Sequence, residues 1–300
     1  MSTALVIGAA GQDGRLLTEK LEGEGHHVIG VDRGSIDLLD GRAVRNRIES
    51  EQPREIYYLA AYHHSSQDRA PEPAELLRES FAVHVDGLVN VLEAMRLDAP
   101  QSRLFYAASS HVFGSQPPTP VQNETTPLNP ENAYGVTKAA GIHCCRFYRN
   151  AYNVFASVGY LYNHESPYRR PEFVTTKIIR AAVAISRGGR EKLVLGDLSA
   201  RIDWGWAPDY VDAMARILRL ERPDDFVIAT GQSHTVQEFA HLAFAGVGLD
   251  WREHVEEKPG IITRRSLGLV GNAAKLKAAT GWAPTVTFEQ MIGKLLEHHQ

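Results

Sequence analysis

Cysteine is scarce in this sequence. There are two in 300 residues, and they are neighbours, Cys144 and Cys145. Adjacent residues on a predicted helix do not close a structural disulfide, which excludes a disulfide-stapled scaffold and fits a reducing cytoplasm. Long apolar runs are missing too; none approaches the roughly 18 residues of a membrane span. Excess basic charge is absent, since 32 Lys and Arg stand against 36 Asp and Glu for a net charge of -4. With a pI near 6.4 no broad cationic surface is offered to nucleic acid. Met1 leads straight into a strand pattern at Ala4, so no signal peptide is expected and the expected location is cytoplasmic. Repeats, low-complexity tracts and long linkers are lacking. His63 and His64 form a pair, but adjacent side chains point apart and no second ligand set has metal spacing, so they read as cleft-lining hydrogen bonders and no metal is expected. What remains, 43% apolar and 23% charged, is the composition of a soluble globular protein with ample core.

The first half alternates strand and helix patterns. Ala4 to Ile7 is a short buried strand, followed by Gly8-Ala9-Ala10-Gly11-Gln12-Asp13-Gly14 and a helical stripe of Leu16, Leu17 and Leu21. Glycines at those positions let the chain turn tightly and approach a pyrophosphate, which then faces a helix N-terminus. A second strand, Val28 to Val31, ends at Asp32, roughly 20 residues on, where a carboxylate holds a ribose hydroxyl. Asp32 repels the extra phosphate of NADP and favours NAD, whereas Arg33 beside it suits that phosphate, so NADP stays open. Asp37 and Leu38 read either as an acid and an apolar wall beside the adenine or as a helix start, with Asp40 the stronger N-cap before 42–51.

Further strands are expected at Ile56 to Ala60, Leu104 to Ala108 and Phe155 to Leu161, with a long helix over 74–97 and another from about Ala133 to Tyr152. The pattern predicts an α/β fold, a Rossmann-type doubly wound parallel sheet over 1–161 with a smaller C-terminal α/β cap over 162–300, some of whose segments return to the first unit. Leu59, Ala60 and Ala61 are small enough for a cofactor to lie along the backbone. Ser109 and His111 follow the fourth strand, at the sheet's carboxyl edge, where ligands bind. Tyr134 and Lys138, four residues apart, share a helix face. An ammonium at that spacing is expected to lower the phenol's pKa from about 10 toward neutrality, so that Tyr134 can take a hydroxyl proton while hydride leaves the carbon. Alone, that spacing is a common surface pair. Beyond 162, Asn163 to Arg170 form a polar, cationic loop suited to phosphates, and Lys177 falls in the first turns of a helix over 173–187.

These residues together resemble the extended short-chain dehydrogenase/reductase superfamily: the glycine loop after strand one, Leu59-Ala60-Ala61, Ser109, and the Tyr134/Lys138 pair. Gly11-Gln12-Asp13-Gly14, Glu124-Thr125-Thr126-Pro127, Asn163-His164-Glu165-Ser166-Pro167, Phe173 to Lys177, Asp203-Trp204-Gly205 with Asp209-Tyr210-Val211, and Phe226 to Gly231 are similar to the GDP-mannose 4,6-dehydratases. The resemblance implies that Gly8, Gly11, Gln12, Asp13 and Gly14 cradle the pyrophosphate. It implies that Asp37 and Leu38 lie by the adenine, that Leu59 to Ala61 run along the cofactor, that Lys138 holds the nicotinamide ribose, and that His164 and Arg169 complete the site. Asn163, Val174 and Lys177 would contact a GDP-hexose, with Arg264 or Arg265 on its phosphates. Ser109 stands where the family has a catalytic threonine. The implied reaction oxidises C4, eliminates water across C5 and C6, and returns hydride to C6, with NAD (or NADP) unchanged overall.

Departures from the family pattern concern the same pocket. His111 replaces the catalytic glutamate, either as an acid/base in its place or as a hydrogen-bonding group only. Phe81 replaces a tyrosine, Tyr62-His63 replace Gln-Ser, and Ile202 replaces an arginine, with Arg201 as its substitute. Of the paired arginines after strand two only Arg33 remains. A homodimer through the helices near 74–97 and 134–152 is therefore expected, with a tetramer as the alternative. A C4 epimerase or 4-ketoreductase needs only Ser109, Tyr134 and Lys138 and is the competing reading. A cofactor-binding scaffold needs neither Tyr134 nor Lys138.

Overall fold

The computed structural model describes residues 2–62, 72–258 and 268–300. In chain order β1 (Thr3–Ile7), α1 (Gln12–Gly23), β2 (His27–Val31), α2 (Gly41–Glu51) and β3 (Glu55–Tyr58) lead to α3 (Pro73–Phe81) and α4 (Gly87–Asp98), which a π-helical segment, Ala82–Asp86, joins. Next come β4 (Arg103–Ser109), a 3-10 turn at Ser110–Phe113, β5 (Val121–Gln122), α5 (Ala133–Tyr152), β6 (Phe155–Leu161), β7 (Asn163–Glu165), α6 (Val174–Ser186), β8 (Leu193–Leu195) and β9 (Arg201–Trp206). The remainder is α7 (Ala207–Leu218), β10 (Asp225–Ile228), β11 (Ser233–Thr235), α8 (Val236–Ala245), α9 (Trp251–His254), β12 (Val255–Glu257), β13 (Val270–Gly271), α10 (Ala274–Thr280) and α11 (Phe288–His299).

Strands short and apolar enough to be buried on both faces pair in parallel, in the order β10-β6-β4-β3-β1-β2. This is the doubly wound sheet that the strand–helix alternation predicts. The order reverses between β1 and β3, which opens a crevice at their carboxyl ends. One face packs Val44, Ile48, Leu88, Val91, Leu92, Ile142 and Cys145 from α2, α4 and α5. The other packs Leu17 and Leu21 of α1 with Tyr210, Val211, Met214 and Ile217 of α7. Gly8 stands at the crevice with φ of +94°, and a Cβ there would lie 2.8 Å from the amide nitrogen of Ala60. A side chain at that point would be strained and would push the first and third strand ends apart.

A smaller lobe has its own core, with Ile178, Ile179, Val183, Trp204, Phe239, Phe244, Met291 and Leu295 from α6, β9, α8 and α11. Its sheet runs β11-β9-β7. The chain passes between the two units more than once, since α7 and β10, both after residue 162, pack in the larger one. Two features differ from the sequence expectation. The helix expected over 74–97 is interrupted by the π segment. Several short strands of the C-terminal half have too few residues for any period to show.

Asp203 ties the two units. Its buried carboxylate accepts the N–H (3.0 Å) and hydroxyl (2.5 Å) of Thr230 and the N–H groups of Gly231 (3.0 Å) and Gly271 (3.2 Å). Burial raises its pKa against those hydrogen bonds. The Asp203→Ala variant leaves these donors without an acceptor and is expected to lose about 3 kcal/mol or more. Urea unfolding reads this directly, and a midpoint equal to that of the parent would show that the knot contributes nothing.

Candidate functional site

One cleft of about 1540 Å³ runs across the carboxyl ends of β1, β3, β4 and β6 and under the smaller lobe. It exceeds the range of roughly 300–1,000 Å³ for a single small-molecule pocket, so it has room for two ligands end to end. At one end it is lined by Gly8, Gly11, Gln12, Asp13 and Gly14, by Asp32, Arg33, Asp37 and Leu38, and by Leu59, Ala60 and Ala61. Gly11 is the N-cap of α1 and no side chain caps that helix, so its first-turn N–H groups open onto the cleft as an anion site. Asp32 Oδ1 accepts the N–H of Gly34 at 3.0 Å, which fixes the carboxylate at the tip of β2. Asp37 Oδ1 caps the N–H of Leu39 at 2.9 Å, while Asp40 is the N-cap of α2, accepting from Arg42 and Ala43.

Ser109, His111, Tyr134 and Lys138 meet at the centre. Asn132 caps α5, accepting the N–H of Gly135 at 2.9 Å, and so sets Tyr134 and Lys138 in its first turns. Gly135 packs on the 3-10 turn; a Cβ there would lie 2.7 Å from the carbonyl oxygen of His111. The imidazole of His111 meets the Tyr134 ring edge-on, 5.8 Å between centroids. Lys138 is 1% exposed, and its Nζ donates to the Ala107 carbonyl at 2.8 Å.

The electrostatics correct one expectation. The Tyr134 phenol is not lowered toward neutrality. Burial pushes it up to about 12, with the Arg169 charge and a hydrogen bond to Ser109 pulling the other way. Burial also takes the Lys138 ammonium down to about 7. Lys138 lies 5.7 Å from the Tyr134 ring and shares the same water-poor wall, so desolvation outweighs mutual attraction.

The third zone holds Asn163, His164, Arg169, Val174 and Lys177. His164 and Asp13, both assigned to the cofactor by resemblance, bind each other. His164 Nε2 lies 3.0 and 2.9 Å from the two Asp13 oxygens, Nδ1 lies 2.6 Å from the Tyr162 carbonyl, and the ring stacks on Tyr210 at 4.4 Å. Two acceptors facing the two nitrogens define an imidazolium. Burial opposes both charges, but the pairing wins, so that His164 is raised and Asp13 lowered. Gln12 adds to the seam, donating to the His164 carbonyl at 3.1 Å and accepting from Ser166 at 2.9 Å. The Arg169 guanidinium lies over Phe173, 3.6 Å from the ring centroid, and its Nε is 3.3 Å from Glu165. Burial lowers the Lys177 ammonium, against the charge of Glu172.

Arg201 stands apart: it donates to the Ser233 hydroxyl (3.1 Å) and carbonyl (2.6 Å) and is not part of the cleft lining. His63, His64, Arg264 and Arg265 lie outside the described residues. Among the described residues no group of three or more His, Cys, Asp or Glu side chains is arranged to hold a metal ion. No helix among them is long and apolar enough to cross a membrane. Sequence reasoning missed Arg15, Val83, Tyr168, Leu195 and Gly196, which also line the cleft. Tyr168 was within reach, inside the polar stretch already singled out. Leu195 and Gly196 carry no local signal.

Comparison with known proteins gives a consistent result. The family model described as GDP-mannose 4,6 dehydratase matches residues 34–295. The chain is 38% identical to GDP-mannose 4,6 dehydratase 2 of Arabidopsis thaliana, over 98% of this chain and 86% of that protein. It is 32% identical to the Homo sapiens GDP-mannose 4,6 dehydratase, over 98% and 90%. Among solved structures, dTDP-glucose 4,6-dehydratase of Bacillus anthracis in complex with NAD superposes with a TM-score of 0.85 at 21% identity, over 99% of this chain and 96% of that one, a likeness of fold.

The Asp13–His164 pair makes stability depend on pH with a definite sign. Asp13, lowered on folding, contributes fully above its unfolded pKa of about 4, and the contribution is lost as pH falls through the folded value. His164, raised on folding, contributes fully below its unfolded pKa of about 6.5, and the contribution is lost as pH rises through the folded value. Asp13→Asn is therefore expected to cost about 1.5–3 kcal/mol near pH 6 and less near pH 9. Paired urea titrations of parent and variant at both pH values check this; an equal cost at the two would refute the ion pair.

Proposed function

The chain belongs to the GDP-mannose 4,6-dehydratase family, and from that premise we propose that it is a nucleotide-sugar dehydratase acting on a GDP-hexose. The observation that carries the reading is the gathering of Ser109, His111, Tyr134 and Lys138 at the centre of one cleft, between an anion-binding helix start and Asn163, Val174 and Lys177.

The residues present fit a nicotinamide dinucleotide. The uncapped start of α1 suits a pyrophosphate, Gly8 admits the close approach of the Ala60 backbone, and Asp32, in the cleft wall, would hold a ribose diol. Its carboxylate favours NAD over NADP. Arg33 and Arg169 supply positive charge along the same wall. When bound, an oxidised nicotinamide would supply the hydride acceptor, a positive charge favouring the Tyr134 phenolate, and the return of the hydride at C6.

The chain's own residues then have separable tasks. Ser109 hydrogen-bonds Tyr134 and orients it on the C4 hydroxyl. Tyr134 takes that hydroxyl's proton as C4 becomes a ketone. Lys138, held by the Ala107 carbonyl, fixes the ribose and supports the phenolate when charged. The ketone acidifies the C5 proton. His111 is the general base that removes it and the acid that gives it to the departing C6 hydroxide, which leaves as water, and the proton held by Tyr134 returns to C5; an imidazole can both accept and donate a proton. Asn163, Val174 and Lys177 hold the GDP half.

The dimer contact belongs on α4 and α5, where Leu97 (43%), Phe147 (55%) and Tyr152 (48%) are exposed. An aromatic patch of this kind marks an interface. We place the enzyme in the cytoplasm, where Cys144 and Cys145 stay reduced.

Incubated with GDP-mannose, the protein is expected to yield a product one water lighter without consuming added cofactor. Tyr134→Phe is expected to abolish this by about 100-fold or more, and His111→Ala to lose dehydration by a similar factor. An unchanged product mass with an altered sugar would sink the dehydratase reading in favour of C4 epimerisation. Separately, Phe147→Glu is expected to shift a dimer to monomer in sedimentation; a parent that sediments as a monomer would refute the interface.

A further inference from the structure

His84 is a fully buried histidine that the mechanism above does not use. It sits in the π-helical segment Ala82–Asp86. A π bulge disturbs the regular helix ladder and re-aims the side chains on it. Here two strand tyrosines meet its carbonyls. The Tyr58 hydroxyl donates to Val83 at 2.5 Å, and the Tyr106 hydroxyl lies 3.5 Å from the carbonyl of His84 itself.

The bulge turns the imidazole toward α5. Its Nε2 accepts the backbone N–H of Tyr62 at 2.9 Å. An amide only donates, so the ring proton is on Nδ1, which faces Thr137 Oγ1 at 2.7 Å. The Thr137 hydroxyl in turn donates to the carbonyl of Ala133 (2.9 Å) or Tyr134 (3.1 Å). The bonds run in one direction, from the Tyr62 amide through His84 to the first turn of α5. The His84 ring also meets the Tyr134 ring edge-on, 5.3 Å between centroids at 88°. Tyr62 directly follows Leu59 to Ala61, so the imidazole links the cleft floor to the helix that carries Tyr134 and Lys138.

We propose that His84 is a positioning residue for Tyr134: a neutral Nδ1–H imidazole that fixes the phenol ring and the first turn of α5 relative to the cleft floor. Its two nitrogens are engaged by Tyr62 and Thr137, so it holds Tyr134 and does not carry the substrate's proton. The proposal rests on Tyr134 being the acid/base of the reading above.

Two readouts test it. Nitrogen-15 NMR of histidine-labelled protein, with His84 assigned through His84→Asn, needs neither substrate nor cofactor. A ring protonated on Nδ1 and bare on Nε2 at neutral pH is expected; an Nε2–H or doubly protonated ring overturns the proposal. In turnover of GDP-mannose, His84→Phe keeps an aromatic edge but loses both nitrogens. It is expected to lower kcat roughly ten- to hundred-fold, the effect of a misplacement of about 1 Å, at nearly constant KM. Thr137→Val is expected to fall in the same range, and the double variant no lower than the weaker single, because both cut one chain. His84→Asn, which retains a donor toward Thr137, is expected to recover part of the loss. Each variant is compared per folded active site, after its melting temperature is measured. A folded His84→Phe within about two-fold of the parent, or fully additive losses, overturns the proposal. If the parent converts no GDP-sugar, the functional reading fails while the NMR experiment still decides the state of His84.

Discussion

Gln12 and Asp13 open α1, and both side chains point across the cleft to residues more than 150 positions later. Asp13 holds the His164 imidazolium, and Gln12 holds the His164 carbonyl and the Ser166 hydroxyl. This seam decides where the smaller lobe sits. β7, which contains His164, pairs with β9, and β9 carries Asp203, whose carboxylate gathers the loops around Thr230 and Gly271. The wall bearing Asn163, Val174 and Lys177 is thus registered against the uncapped start of α1. Because the seam is ionic, its geometry is set by charge and direction rather than by packing alone.

The second constraint is water exclusion. Tyr134 and Lys138 occupy a wall so well buried that each is shifted toward its neutral form, the phenol to about 12 and the ammonium to about 7. Desolvation therefore outweighs the nearby charges at both groups. Neighbouring groups control orientation: Ser109 bonds the phenol, the Ala107 carbonyl holds the amine, and imidazoles meet the tyrosine ring by their edges. The fold thus fixes both the position of the pair and, by burial, the direction of its pKa shifts.

Those features differ in how legible they were. The glycine loop, the strand ends and the Tyr134/Lys138 spacing depend on neighbours within a few residues, and the sequence displayed them. The helix start near Ala133 showed as well, though not Asn132 as its cap. The π segment did not show, because 74–97 keeps an apolar helical stripe on both sides of it. His84 gains its role from Tyr62 and Thr137, 22 and 53 residues away. Asp13 and His164 were each picked out, but as two cofactor contacts; that they bind each other is a long-range fact. Arg201 was reasoned from charge beside Ile202, and a serine on the next strand takes it elsewhere. The pKa expectation failed because spacing reports attraction and says nothing of desolvation.

The sheet ends at β2. Residues 32–40 pass directly to α2, and among the described residues no strand lies beyond it. An open sheet edge invites another chain to add a strand. Here the edge is five residues long, has Gly30 near its end and stops at Asp32-Arg33. The exposed edge therefore ends on a pair of charges, and charge at an edge strand opposes the addition of another strand.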